Sequence, residues 1–382
     1  MTSKLPLFPV TVVGSWPRPS WLLDAVKSRK GDLEELRDEA TLLAIKEQED
    51  AGVDIVTDGE QRRDNFYSFI CDRLDGIRLM TMADLLEYVE DKAGFEDLLR
   101  ALDVPAYAIR NPTVVGKLSR RKSLVVDDFK FLRAHTTRAV KVTLPGPYLL
   151  ARSAWVQRLS AEAYPTRESL ADDIVAILRA ELLELAALGA DVVQFDEPVL
   201  TELVFAGKSA TRTFMCAALA AKSSPEEELE FAVSLINRTV EGVSGPIKAL
   251  HVCRGNWSRQ EDVLLEGSYD ALVPHFSRMA VDQFVLEYAT PRAGTFAALA
   301  GLRPGAYVGF GAVNPRTSDI EDPKTIIGRA KELSQFVDST RIHLNPDCGF
   351  GTFAERPMAT RRVAVQKLEA LVAAAKQLRG GV

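Results

Sequence analysis

Cysteine is sparse and scattered in this chain. Cys71, Cys216, Cys253 and Cys348 stand far apart along 382 residues, which excludes a small disulfide-stapled fold and suits a reducing cytoplasm. Long apolar runs are missing as well, so no stretch reads as a membrane-spanning helix. The opening Met1-Thr2-Ser3-Lys4-Leu5-Pro6 lacks the apolar segment of a secretory signal, and the expected location is cytoplasmic. Positive charge is in deficit: the formal net charge of −6 leaves no general basic face for nucleic acid. Also absent is a Gly-x-Gly-x-x-Gly after the first strand candidate, which argues against a dinucleotide-binding fold.

What the chain does contain is a regular alternation. Apolar, β-branched runs at Val10–Val13, Val53–Thr57, Val140–Leu144, Asp191–Phe195, Ile247–Cys253, Phe284–Tyr288, Ala306–Val313 and the Ile342 stretch read as strands. Helical patterns lie between them, among them Leu33–Ala51 closed by Gly52, Glu168–Leu188 between Thr166 and Gly189, Pro225–Glu241, Pro323–Phe336 and Ala359–Leu378. A short helix is expected near Gly294–Ala300. Eight strands alternating with helices imply a parallel sheet, and a single (β/α)8 TIM barrel over residues 1–382 is the expected α/β fold. Residues 73–128 break the rhythm. They read as an insertion between strands 2 and 3, with helical patterns at Asp84–Glu90 and Phe95–Leu99. A basic segment follows with Lys117, Arg120, Arg121 and Lys122, either a solvated face or a greeting for an anionic substrate tail.

Chemistry-bearing residues collect at the strand ends. His251 and Cys253 stand two apart on one strand, so both project to the same side. An imidazole and a thiol converging in this way suit Zn(II), which needs three or four donors. A second strand end brings Cys348, and the apolar strand between them is interrupted by Glu287, a carboxylate that burial disfavours unless a cation accompanies it. His251, Cys253, Glu287 and Cys348 would complete a tetrahedral set. Gly14 and Ser15 open a loop whose N–H groups and hydroxyl could face a ligand, or simply turn the chain. Glu60 ends the second strand as either a ligand-binding carboxylate or the surface partner of Arg62 and Arg63. Asp196 and Glu197 are adjacent, so the two cannot both point inward. Cys71 and Cys216 are read as buried structural thiols.

Taken together, Gly14-Ser15-Trp16-Pro17, Asp58-Gly59-Glu60, Pro145-Gly146-Pro147, Phe195-Asp196-Glu197-Pro198, His251-Val252-Cys253, Leu286-Glu287, Val313-Asn314-Pro315-Arg316 and Asn345-Pro346-Asp347-Cys348-Gly349 resemble the motif series of the catalytic domain of cobalamin-independent methionine synthase. The motifs run in the same order along nearly the whole chain, whose length matches the short single-barrel members of that family within the wider uroporphyrinogen decarboxylase and methionine synthase superfamily. The resemblance implies Zn(II) on His251, Cys253, Glu287 and Cys348, and a homocysteine S-methyltransferase acting in methionine biosynthesis. It implies that the homocysteine ammonium meets Glu60 and Asp196, and its carboxylate the Gly14–Ser15 loop. Those pairings agree with the residue types: ammonium seeks carboxylate, and carboxylate seeks N–H and O–H donors.

Two departures bear on the methyl donor. The family's long forms carry His-Ser-Pro-Arg where this chain has Val313-Asn314-Pro315-Arg316, and a folate-stacking tryptophan near the place of Ser153, with Trp155 close by. The donor is expected to be a methylfolate or a methylcorrinoid, the latter free or on a corrinoid protein. Other readings are a thiol alkyltransferase of the epoxyalkane:coenzyme M transferase type, a zinc-free uroporphyrinogen-decarboxylase-like lyase, and a binding protein with a structural metal. Two carboxylates suit an amino-acid thiol and would repel a sulfonate one.

Overall fold

Parallel strands covered on both faces read as nearly continuous apolar runs, and these runs form the frame here. The computed structural model describes residues 5–88, 110–205, 224–256, 258 and 264–380. Its main sheet joins β1 (Ile55–Val56), β4 (Ala139–Pro145), β5 (Val192–Asp196), β6 (Ile247–Val252), β7 (Gln283–Glu287), β8 (Tyr307–Val313) and β9 (Ile342–Pro346) in that order. Every pairing in it is parallel. The expected first strand is reduced to two isolated bridges. Val10 pairs with Leu344 of β9 and Thr11 with Ile55 of β1, and this eighth segment closes the ring. Inside it, Val13, Ile55, Ala139, Val192, Ala249 and Val285 pack as one small apolar layer.

The helices begin and end where their caps dictate. Asp32 accepts from the N–H groups of Glu34 and Glu35 at the start of Leu33–Asp50. Thr166 and Ser224 form capping boxes before Arg167–Ala187 and Pro225–Val240. The last helix, Arg361–Gly380, buries Leu368, Leu371 and Val372, while Val363 and Val365 of its expected apolar stripe are only half-buried. Near residue 294 the chain forms two short 3-10 turns, Pro291–Ala293 and Phe296–Gly301, in place of an α-helix. Helix Val126–Ala134, absent from the sequence reading, precedes β4. Among the described residues no helix is long and apolar enough to cross a membrane.

Between β1 and β4 the chain leaves the barrel. The excursion contains an antiparallel hairpin, β2 (Leu74–Thr81) with β3 (Arg110–Arg120), in stretches to which the sequence reading gave no secondary structure. Of the first helical pattern only Met82–Leu85 forms, and Phe95–Leu99 lies outside the described residues. The hairpin breaks register at Gly76, where φ is +78° and a β-carbon would sit 2.1 Å from the Lys117 carbonyl oxygen. Two of its basic residues contact the scaffold. Arg120 bridges Glu181 at 2.7 Å and Glu184 at 2.5 Å, and Lys117 lies over the Tyr164 ring.

Candidate metal centre and substrate pocket

One cavity of about 520 Å³ opens where the β-strands end. Its lining includes Gly14, Ser15, Glu60, Asp196, His251, Cys253 and Cys348, with Phe66 and Phe353 as an apolar wall. All the predicted site residues except Glu287 therefore share one space.

His251, Cys253 and Cys348 form the chemically distinctive corner. One donor atom from each lies within 4.8 Å of the others. His251 Nδ1 lies 3.0 Å from the Val285 carbonyl oxygen, which favours the tautomer with the proton on Nδ1. Its Nε2 is buried without a protein partner. Cys253 is pulled down to about 5 by a hydrogen bond from Cys348 and by the adjacent imidazole, against the effect of burial. Cys348 is pushed up because it shares that bond and is buried. Burial lowers the His251 value, but the neighbouring Cys253 outweighs it and lifts the imidazole to about 9. An orphaned ring nitrogen beside a ready thiolate and a second thiol fits a borderline-soft divalent ion.

Glu287 lies outside this trio. Its Oε1 accepts from the Arg254 backbone N–H at 2.5 Å and from the Asn256 amide, and its Oε2 pairs with Arg292 at 2.9 Å. Arg316 in turn donates to Asn256 at 2.8 Å. The carboxylate is thus fully engaged by the protein, although its charge is felt by His251, Cys253 and Cys348.

Two further carboxylates, Glu60 and Asp196, line the same cavity. Glu60 adopts a left-handed backbone, φ 55°, directly after Gly59 at φ 65°, a conformation that costs about 1 kcal/mol or more for a non-glycine residue. It is locked there by several bonds. Asp58 accepts from its N–H at 3.0 Å, and Arg18 donates to the carbonyl oxygens of Glu60, Arg63 and Gly351 at 2.7, 2.6 and 2.9 Å. Thr143 donates to Glu60 Oε1 at 2.8 Å, while Oε2 has no protein partner. Only a glycine fits opposite: a β-carbon on Gly14 would lie 2.4 Å from Glu60 Oε1. Asp196 accepts from Gln194 at 2.8 Å through Oδ1, and burial raises its carboxyl to about 7. Glu197 faces the other way, accepting from the N–H groups of Tyr148 and Leu149 at the start of helix Pro147–Ala154. Ser15 Oγ accepts from Gly351 N–H at 3.3 Å, which leaves its hydroxyl proton free to donate to an anion.

The sequence reading missed the supports of this site, Arg18, Thr143, Asn256 and Arg292. The one available signal was alternation on β4, which places Thr143 on the inward face. Of the remaining thiols, Cys71 is half-buried and its value is raised to about 12, mainly by burial; Cys216 lies outside the described residues. Trp155 points its indole N–H at the Tyr164 carbonyl oxygen, 3.1 Å away, and Ser153 is buried in its own helix, bonded to Leu149 O at 2.7 Å. Neither lines the cavity.

A curled parallel sheet with its polar residues gathered at one end of the strands defines an α/β-barrel enzyme. The chain belongs to the family Cobalamin-independent synthase, catalytic domain, whose sequence model matches residues 8–377. It is 28% identical to the methionine synthase of Sulfurisphaera tokodaii over 386 aligned positions, covering 98% of this chain and 94% of that protein. With the methionine synthase of Saccharolobus solfataricus it shares 26% identity, covering 99% and 96% of the two chains. Among solved structures, a B12-independent methionine synthase from Shewanella sp. W3-18-1 in complex with selenomethionine superposes with a TM-score of 0.74 and 27% identity over 98% of each chain. Membership places the chain among the methyltransferases.

Proposed function

We propose that this protein forms methionine by methylating the thiol of homocysteine, with Zn(II) held by His251, Cys253 and Cys348 and with Glu287 as the fourth donor. The observation that carries the reading is the convergence of that trio with Glu60 and Asp196 on one cavity. When bound, zinc supplies a thiolate at neutral pH from a thiol that is otherwise mostly protonated. The chain's own residues do the rest. Glu60 Oε2 and Asp196 receive the ammonium, and the Ser15 hydroxyl with its neighbouring N–H groups receives the carboxylate. Phe66 and Phe353 keep water from the reacting sulfur. Recruiting Glu287 costs its bonds to Asn256 and Arg292, so its hold on a metal is weaker than that of the trio. Selenomethionine in the Shewanella relative supports an amino-acid ligand here.

The donor reading follows from the residue that follows β8 and from the cavity lining. Asn314 uses its side-chain oxygen to accept from Arg316 N–H at 3.0 Å, and an amide supplies no proton near neutral pH. Among the described residues no indole lines the wall. A folate donor needs a proton for its departing nitrogen and a ring to stack on; a methylcorrinoid needs neither. This favours the methylcorrinoid, free or on a carrier protein, over methylfolate. The two carboxylates disfavour the alternative of a sulfonate thiol opening an epoxide.

Removal of the metal tests the assignment. Chelator-treated protein is expected to lose homocysteine binding and turnover and to recover both with about one equivalent of zinc per chain. Full turnover in metal-free protein would contradict it.

A further inference from the structure

The barrel interior holds a lysine that the site description has not used. On β4, Ala139, Lys141 and Thr143 share one face. Ala139 belongs to the inner apolar layer and Thr143 donates to Glu60 Oε1 at 2.8 Å, so Lys141 between them points into the barrel. It pairs in register with Val192, whose strand delivers Asp196 four residues later on the same face. Lys141 is 2% exposed, and among the described residues its ammonium makes no hydrogen bond or ion pair. A buried, unpartnered ammonium is unfavourable, and the charges that bear on it are those of Asp196 and Glu60.

We propose that Lys141 is the resident cation of the amine clamp: while the cavity is empty its ammonium balances Glu60 and Asp196, and it releases its proton to solvent when the substrate's ammonium takes that place. The inference rests on the reading that Glu60 and Asp196 receive the substrate amine.

Of the other charged groups around the clamp, His251 also bears on Asp196 but would ligate the metal as a neutral imidazole, and Arg18, whose charge reaches Glu60, stays protonated like Arg63. Arg63, whose guanidinium lies 3.8 Å from Glu60, is a permanent cation and cannot yield its proton. His343 on β9 is pressed down to about 3 by burial and then by Lys141, so it stays neutral. Burial lowers Lys141 to about 7 against the pull of Asp196 and Glu60. Arrival of a second ammonium lowers it further, since like charges disfavour each other. Lys141 is a positioning residue: it acts on substrate through the two carboxylates.

The test is calorimetric binding of methionine, which has no thiol proton to lose, to the zinc-loaded protein between pH 6 and pH 8. Wild-type affinity is expected to rise about tenfold over that range. Asp196 ionises over the same interval, so the ranking of two variants, rather than the slope, identifies the lysine. At pH 8, Lys141→Met should bind methionine at least tenfold more tightly than Lys141→Arg, whose guanidinium keeps its charge. Both variants should bind the amine-free 4-(methylthio)butanoate alike. The reverse ranking would overturn the proposal and make Lys141 a fixed structural charge.

Should Lys141→Arg not fold, the wild-type protein labelled with [ε-13C]lysine gives a direct reading. One lysine signal, absent from Lys141→Met, should titrate near neutral pH and move to its neutral-amine position when methionine is added. A spectrum with no lysine titrating below pH 9 would overturn the proposal. Wild-type protein that binds zinc but no methionine at any pH would overturn the clamp reading, and this inference with it.

Discussion

Replacing Cys348 by serine is expected to empty the metal centre while leaving the barrel standing. Cys348 sits just past β9, with His251 and Cys253 as its companions. A serine hydroxyl stays protonated where a thiol ionises, and as a hard donor it binds Zn(II) poorly. The trio would fall to two donors, and the hydrogen bond that lowers Cys253 to about 5 would weaken with it. Zinc content should drop from about one per chain to near zero, and methyl transfer should become undetectable. The metal-free forms of the variant and the wild type should unfold at similar temperatures, because the site lies at the rim of the barrel rather than in its core. A variant that retained one zinc per chain would remove Cys348 from the ligand set.

The second large effect belongs to Asp196. Asp196→Asn keeps the shape and removes the charge, so a charge-assisted bond to the substrate ammonium becomes a neutral one. The loss should be about 2–3 kcal/mol, or roughly 30- to 150-fold in homocysteine affinity, with zinc retained. The pH dependence has a definite sign. Burial raises the Asp196 carboxyl to about 7, so wild-type affinity should weaken as pH falls through that value and the carboxylate is neutralised. Stability runs the other way. A carboxyl whose folded value lies above its unfolded one favours the fold when protonated, and that contribution is lost as pH rises through about 7. At pH 8 the asparagine variant should therefore be at least as heat-stable as the wild type, which separates lost binding from lost folding. Unaltered affinity for homocysteine would remove Asp196 from the clamp.

The sequence made the barrel legible because its strands are covered on both faces, and runs such as Val140–Leu144 and Ala306–Val313 carry that burial in their composition. Caps such as Thr166 and Ser224 marked helix starts for the same local reason. The hairpin was illegible because β2 is half-exposed and interrupted by Gly76, and Asp84–Glu90 mimics a helix while forming one turn at most in the described residues. In the site, residues that end strands were readable from position alone. Arg18 was not, since one of its bonds reaches Gly351, 333 residues away. Nor could spacing reveal that Asn256 and Arg292 compete for Glu287; only the fold brings those groups together. The order of the motifs carried the family, because each motif alone is short enough to occur by chance.

The central claim is that this cavity methylates an amino-acid thiol. Its most direct measurement is methionine formation by the zinc-loaded protein with homocysteine, run in parallel with methylcobalamin and with methyltetrahydrofolate. The account predicts methionine with methylcobalamin and much slower turnover, or none, with the folate. No methionine from either donor, in protein shown to hold zinc, would contradict it.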